Sequence, residues 1–546
     1  MNCAVRNAGE FDYVIVGAGS AGCELAHRLT EQADVRVLLV EAGGPARHPY
    51  LQIPLAWLRA AGLHRHLWWY ETEPEPGLGG RVLKFHRGRA LGGTSSINGM
   101  IYARGHPRDY DQWSARGLNG WSYAEVLPYF KRLETSWRGA GPVHGDCGPI
   151  HVAQTRLPAM QYEDLESAVT AAGYAATDDL NAAPFEGVSR MELTVRNGAR
   201  DSTARAYLAP ARSRPNLSVQ TGALLQRVSI EGGRAVGIEY RQDGRLHSVR
   251  AHREVVLASG TYGSPQALML SGIGPAGDLA KVGITPRLDL PGVGQNLIDH
   301  VLAPLLFKSR HAATFLRHLR LDRATFAAAQ WLLFRTGPMA TNGVGANLYL
   351  RSDAKLLQPD LRLICGTIGL DARLWIPGAA APAHRFSCTV NLLHPESRGT
   401  VQLRSASPSD APRIRFNVLG SDADMATLVK GIRLARKIYA TQPLARHIDQ
   451  ELMPGIGEFS DAQLENYVRR IAIIGQHPVG TCAMGVDEQA VVDEQLRVRG
   501  IDALRVVDAS VMPDQIGGNP NIPVIMIAEK AADLMLGRVD AAIASR

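Results

Sequence analysis

The chemistry most easily read from this chain is the holding of a diphosphate. Gly17-Ala18-Gly19-Ser20-Ala21-Gly22 places three glycines where backbone N–H groups can close on phosphate oxygens. Glu41 follows about 20 residues after the turn, where a carboxylate accepts the hydroxyls of a ribose. Taken alone, such a glycine pattern also describes an ordinary loop. A second run, Gly88 to Gly105, is so dense in small residues that its backbone is expected to lie against a flat or charged ligand.

The flanking elements decide between loop and cradle. Phe11 to Gly17 is a short apolar, β-branched run that reads as a buried parallel strand, and Cys23 to Thr30 has helical periodicity. A second strand, Val35 to Val40, ends at Glu41. Strand, glycine turn, helix and strand in that order form a dinucleotide-binding βαβ unit, with the helix dipole favouring phosphate at Gly19. Further strands are expected at Asn216 to Gln220, Val236 to Tyr240 and Val255 to Ala258, after a stretch from Ile150 to Arg200 of mixed short pieces. Val301 to Val468 reads as a second domain with a helix from about His311 to Arg335. No internal repeat or low-complexity tract is evident.

The 546 residues exceed the roughly 250–300 at which a single core stops growing, so two intertwined domains are expected. With 45% hydrophobic and 20% charged residues the composition is that of a globular protein. The net charge of +7 comes from interspersed residues without a basic run, which argues against nucleic acid as a partner. Cys3, Cys23, Cys147, Cys365, Cys388 and Cys482 form no CxxC pair, so neither a metal site nor a disulfide framework is expected and a reducing cytoplasm is the simplest location. The first ten residues lack a signal-peptide stretch, and no apolar run reaches the length of a transmembrane span.

Several blocks then place the chain beside a known family. Gly88-Arg89-Ala90-Leu91-Gly92-Gly93-Thr94-Ser95-Ser96-Ile97-Asn98-Gly99-Met100 resembles the first signature of the glucose-methanol-choline (GMC) FAD-dependent oxidoreductases, and His106 to Trp113 is similar to their choline- and alkanol-dehydrogenase branch. Gly260 to Gly274 resembles the second signature, apart from Ala267 where a larger aliphatic is usual. Gln476-His477-Pro478-Val479-Gly480, Leu504 to Pro513 and Gly518-Asn519-Pro520-Asn521-Ile522-Pro523 complete the resemblance, which runs from about Phe11 to Gly537. It implies an α/β fold: a Rossmann-type FAD-binding domain intertwined with an α+β substrate domain built on an antiparallel sheet. The expected division is 1–300 for FAD, with an excursion near 150–200, then 301–470 for substrate, and a C-terminal return over 471–546.

The same resemblance implies residue roles. Gly17, Gly19, Ser20, Ala21, Gly22 and Glu41 would hold the AMP half of FAD, with Leu225 offering its backbone to adenine. Arg89, Gly92, Gly93, Thr94, Asn98, Gly99 and Met100 would line the pyrophosphate and flavin, Asp508 and Ala509 the ribityl region, and Asn521, Ile522 and Pro523 the isoalloxazine edge. A helix from Val524 to Leu536 would aim its N-terminus at the ring. Ile97 occupies the place where some members carry a histidine bonded to the flavin, so the FAD is expected to be non-covalent. His477 would be the base that takes the hydroxyl proton of a primary alcohol, and Asn519 would donate to its oxygen.

Alternatives remain open at this level. His106 and His300 are competing histidines that more simply hold loops, and Cys482 is expected to be a small buried hydrophobe. A neutral aliphatic or aromatic alcohol is favoured over choline, because no acid stands between Asp322 and Asp353 to meet a quaternary ammonium. A dehydrogenase passing electrons to a quinone or other carrier is expected, with an oxidase using O2, a choline dehydrogenase, a GMC-fold lyase and a non-enzymatic flavin protein as rivals. The segment Thr314 to Arg335 reads as a helix over the substrate cavity with solvated arginines outside, or as a peripheral contact at the inner face of a membrane.

Overall fold

The computed structural model describes residues 6–60, 62–155, 161–369 and 372–538. Cys3, part of the N-terminal leader reading and residues 539–546 of the C-terminal segment lie outside these.

The apolar β-branched runs build the first sheet. Its order is Leu217–Thr221, Val37–Glu41, Arg6–Val16, Arg245–Leu257, Arg234–Gln242 and Leu224–Glu231, and Leu504–Val506 pairs with Arg245–Leu257. The pairings around Arg6–Val16 are parallel, and those of Arg234–Gln242 antiparallel. Every residue of Val37–Glu41 is buried, as a central parallel strand covered on both faces requires. Helix Ser20–Leu29 follows the glycine turn and packs on the C-terminal helix Asn521–Met535. Arg28 clamps the two by donating from Nε and Nη2 to the Glu529 carboxylate at 3.0 and 2.9 Å. This clamp brings the two N-termini together, with Ser20 Oγ donating to Asn521 Oδ1 at 2.7 Å.

The second sheet is antiparallel throughout, in the order Ile448–Met453, Val301–Ser309, Arg385–Leu392, Leu361–Gly366, Val344–Leu350 and Gly187–Arg190. Strand alternation gives it two unlike faces. Val301, Ala303, Leu305, Leu361, Leu363, Val390 and Cys388 share a core with Leu428, Ile432 and Ala435 of helix Asp422–Tyr439. The opposite face carries Asn347, Tyr349, Arg362 and Asn391, with Arg362 directly across from Tyr349 on one side and Asn391 on the other. The α/β architecture with two domains is as the sequence implies. Gly187–Arg190 and Ile473–Ile474 both pair within the second sheet.

The helix expected from His311 to Arg335 is two pieces, a 3-10 turn at Phe315–Leu319 and a helix at Leu321–Phe334. Arg320 separates them with extended backbone (φ −65°, ψ 131°) that bridges to Trp375. Only Ala324, Ala327 and Trp331 of the second piece are buried, and Trp331 Nε1 donates to the Gly198 carbonyl at 2.6 Å. Its outer face is therefore chiefly apolar rather than a row of arginines: Phe326 is 72% and Leu333 74% exposed.

Candidate active site

The glycine turn and the first signature loop meet as close neighbours. Gly92 N–H donates to the Ala18 carbonyl at 2.7 Å, and a Cβ on Gly93 (φ +51°) would stand 2.7 Å from Gly19 Cα. A Cβ on Gly22 would fall 1.9 Å from the Gly17 carbonyl oxygen, so that glycine is required by the turn itself. Gly19 differs: its Cβ would meet only the Ala258 oxygen, at 3.8 Å. No side chain caps the helix that starts there, nor the helix that starts at Asn521 beside it. An uncapped N-terminus behind a glycine turn is the donor set a pyrophosphate takes.

Glu41 is buried and accepts from Ala18 N–H at 2.9 Å and Gly43 N–H at 2.8 Å. Burial lifts its pKa to about 6 against the lowering effect of those amides and of Arg89. One hydrogen bond per oxygen leaves lone pairs for ribose hydroxyls. Leu225 is half-buried beside this strand end, where Ala223 N–H donates to the Glu41 carbonyl. Arg89 stacks over Trp68 at 4.4 Å and its Nε has no partner among the described residues. Thr94 Oγ1 accepts from Gly88 N–H, Asn98 Oδ1 from Met100 N–H and Arg200, and the Gly99 carbonyl from Asn342; Met100 is held at φ +61°. Ile522 and Pro523 are buried in the first turn of the C-terminal helix. These residues fit FAD. The Asp508 carboxylate accepts from Gly260 N–H, Ser264 and Ser510 and so ties down the helix Gly260–Leu270, and the Ala509 carbonyl accepts from Gly480 and Met512 N–H.

His477 and Asn519 lie in contact, with Asn519 Nδ2 2.7 Å from His477 Nε2. They are the middle of a longer row. His477 Nδ1 is 2.9 Å from His300 Nδ1, His300 Nε2 is 3.1 Å from the Ile516 carbonyl, and Arg362 Nη1 donates to Asn519 Oδ1 at 2.7 Å. The two ends dictate every hydrogen between them. A carbonyl only accepts, so His300 carries its hydrogen on Nε2. Burial drives the His300 pKa down to about 3, so the ring is neutral and its Nδ1 is a bare acceptor. His477 Nδ1 must then donate. Burial first, then the nearby His300, Arg362 and Arg87, holds the His477 pKa well below the ordinary range, so this ring is neutral too and its lone pair lies on Nε2. At the other end a guanidinium only donates, which fixes Asn519 with Oδ1 toward Arg362 and its N–H toward His477.

Asp299 completes the surroundings. Its Oδ1 accepts from His477 N–H at 2.8 Å, its Oδ2 has no partner, and burial raises its pKa to about 7 against the charge of Arg87. A neighbouring cleft has walls that include Tyr102, His106, Phe185, Tyr349, Leu393 and Gly517. Tyr349 also receives Arg362 Nη1 at 3.4 Å.

Sequence reading thus paired His477 with Asn519 and missed the rest of the row. His300, expected in a loop-holding role, touches the His477 ring directly. Arg362 went unnoticed, although an arginine at one position of the buried strand Leu361-Arg362-Leu363-Ile364-Cys365 signals a polar face. His106 caps the helix Pro107–Ala115 through its ring nitrogen. Cys482 is buried, with a thiol pKa pushed up first by burial and then by Asp508, as suits a packing residue. Among the described residues no group of three or more His, Cys, Asp or Glu side chains is placed to hold a metal.

Residues 11–302 and 395–528 match the N- and C-terminal profiles described as GMC oxidoreductase. The chain belongs to the GMC oxidoreductase family. It is 41% identical over 533 residues to the oxygen-dependent choline dehydrogenase of Brucella anthropi, covering 97% of this chain and 96% of that one. Among solved structures it is similar to pyridoxine 4-oxidase from Mesorbium loti (TM-score 0.85, 32% identity, 96% and 98% coverage). It is also similar to formate oxidase from Aspergillus oryzae RIB40 (TM-score 0.91, 27% identity, 98% and 100% coverage). The protein is an FAD-dependent oxidoreductase acting on CH–OH groups.

Proposed function

We propose that the chain oxidises a primary alcohol to the aldehyde with His477 as the base, and the observation that carries this is the bare Nε2 lone pair set by the row from Ile516 to Arg362. A substrate hydroxyl entering between His477 and Asn519 replaces their direct hydrogen bond: it donates to Nε2 and accepts from the Asn519 amide. As the O–H proton moves to Nε2, that amide stabilises the developing alkoxide. Bound FAD supplies the two-electron acceptor for the carbinol hydride. The electrons then pass to a quinone or other carrier, or to O2. Anaerobic mixing of the FAD-loaded enzyme with a panel of primary alcohols tests the reading; no bleaching of the flavin by any alcohol, against turnover of a lyase substrate, overturns it.

Choline, the substrate named for the Brucella relative, fits this chain poorly. The Arg362 guanidinium lies against Asn519, so a quaternary ammonium bound beside that pair would face like charge.

The FAD is proposed to be non-covalent. Ile97 is buried among Leu51, Ala60 and Leu67, and its side chain has no nucleophilic atom. Acid precipitation is expected to release the yellow colour to the supernatant. Colour retained by the pellet would show a bond made by another residue.

A peripheral contact with the inner face of a membrane is proposed through the exposed end of helix Leu321–Phe334. Phe326, Leu332, Leu333 and Phe334 are exposed there, with Arg323 exposed on the same helix and Arg335 exposed at its C-cap. No helix among the described residues is long and apolar enough to cross a membrane. The holoenzyme is expected to sediment with phosphatidylglycerol vesicles, and Phe326→Ser with Leu333→Ser to remain in the supernatant. Wild type staying in the supernatant would dismiss the contact.

A further inference from the structure

Arg362 presents a buried, unspent hydrogen-bonding edge. Its Nη1 is committed to Asn519 and Tyr349, but Nε and Nη2 have no partner, and the side chain is fully buried. Among the described residues it forms no ion pair. A buried cation without a counter-charge is costly unless something neutralises it. The free pair of atoms is informative, because Nε and Nη2 form the side-on edge of a guanidinium that matches the two oxygens of a carboxylate. Elsewhere in this chain the same edge does that work: Arg28 grips Glu529, Arg505 grips Glu254 and Arg320 grips Asp322, each through Nε and Nη2.

The neighbourhood repeats the signal. Asn391, opposite Arg362 across the strand pair and on the same face, is fully buried with neither amide atom partnered. Asn347, one pair further along that face, has an unpartnered Oδ1. Opposed residues on one face of an antiparallel pair stand about 4.5–5.5 Å apart at Cβ, so Arg362 and Asn391 can address one bound group. That group is two hydrogen bonds removed from the lone pair of His477, through the Asn519 amide.

We propose that the substrate carries a carboxylate as well as its hydroxyl: a short hydroxy acid whose carboxylate lies on the Nε/Nη2 edge of Arg362, with Asn391 donating to it, while its carbinol oxygen lies between His477 and Asn519. This rests on the alcohol-oxidising reading above and departs from it in giving the substrate a charged end. Arg362 is then a specificity-determining residue that admits anionic alcohols and repels cationic ones. It also positions Asn519, so one guanidinium sets both ends of the substrate.

Two measurements on the FAD-loaded enzyme test this. Calorimetric titration compares propionate with propionamide, which needs no turnover. Anaerobic flavin reduction compares glycolate, 3-hydroxypropionate and 4-hydroxybutyrate with their amides and with choline. Wild type is expected to prefer the carboxylates by roughly 10²-fold or more, the discrimination of a site whose polar groups are otherwise left unpaired. Arg362→Gln retains a donor for Asn519 but no cation, and should bring the carboxylate-to-amide ratio near unity. Arg362→Lys keeps the charge without the paired edge and should retain part of the preference. FAD content and melting temperature report whether each variant is folded, and the wild-type ratio decides the matter where one is not. Equal binding of propionate and propionamide by wild type, or an undiminished preference in a folded Arg362→Gln, overturns the proposal. Flavin bleaching by neutral alcohols without carboxylate preference overturns it while leaving alcohol oxidation standing. Selective, Arg362-dependent propionate binding with no bleaching of the flavin by any alcohol, charged or neutral, supports the carboxylate site and removes the alcohol-oxidising reading instead; bleaching by neutral alcohols but by no hydroxy acid overturns the proposal.

Discussion

His477→Ala is expected to slow flavin reduction by the substrate alcohol roughly 10²- to 10⁴-fold, the range for loss of a general base, while the variant keeps its FAD. The reasoning is local. The His477 ring contacts His300 and Asn519, and the FAD-fitting groups lie on the glycine turn and signature loop, so its removal opens the proton-accepting position without disturbing the cradle. Asn519→Ala removes one oxyanion donor and leaves the acceptor, so it should cost less, on the order of 10²-fold. The pH profile separates base from bystander. A base acts when deprotonated, and the His477 pKa is held well below 6.5, first by burial; the limb that His477 gives the wild-type rate should therefore lie wholly in more acidic solution. The acid limb should vanish in the alanine variant. Asp299, with a pKa raised by burial to about 7, can add a second step near neutrality, and a step there that survives in His477→Ala belongs to Asp299. Wild-type rate and unchanged acid limb in a folded His477→Ala would falsify the assignment.

How much was legible in the sequence follows from how far apart the interacting residues lie. The glycine turn, its strands and Glu41 are contiguous, and their periodicity survives folding: the strand expected at Phe11 to Gly17 extends over Arg6–Val16, and the helix expected from Cys23 starts at Ser20. The His477–Asn519 pair rested on motif resemblance, and the fold closes it. The rest of the row joins positions with no local signature. His300 reaches His477 across 177 residues, and Arg362 reaches Asn519 across 157. The absence of an acid between Asp322 and Asp353 bears on which charge meets the substrate, and the charge beside Asn519 comes from Arg362, beyond that stretch and of the opposite sign. The helix read as continuous through Arg320 failed for a different reason. Interleaved arginines and apolar residues satisfy helical periodicity on both sides of a break, and only the pairing with Trp375 shows the extended residue between.

Gly19→Val is expected to abolish FAD retention in a chain that still folds. The backbone of Gly19 is extended (φ −79°, ψ −158°), a conformation that valine adopts without strain, and a Cβ there would meet nothing of the protein closer than the Ala258 oxygen at 3.8 Å. The side chain would instead fill the space in front of the uncapped N-terminus of helix Ser20–Leu29, where the pyrophosphate must approach the backbone donors. Gly22→Val supplies the contrast, because its Cβ would collide with the Gly17 carbonyl oxygen at 1.9 Å and break the turn whether or not a ligand is present. Flavin absorbance of the purified protein, read beside far-UV circular dichroism, distinguishes the two: Gly19→Val should be colourless with wild-type secondary structure, and Gly22→Val should lose both. Because a bound cofactor stabilises the fold by mass action, the melting temperature of Gly19→Val should match that of wild type stripped of FAD, and should not rise when FAD is added back. A folded Gly19→Val that retains one FAD per chain would show that the cofactor does not approach the backbone at this glycine.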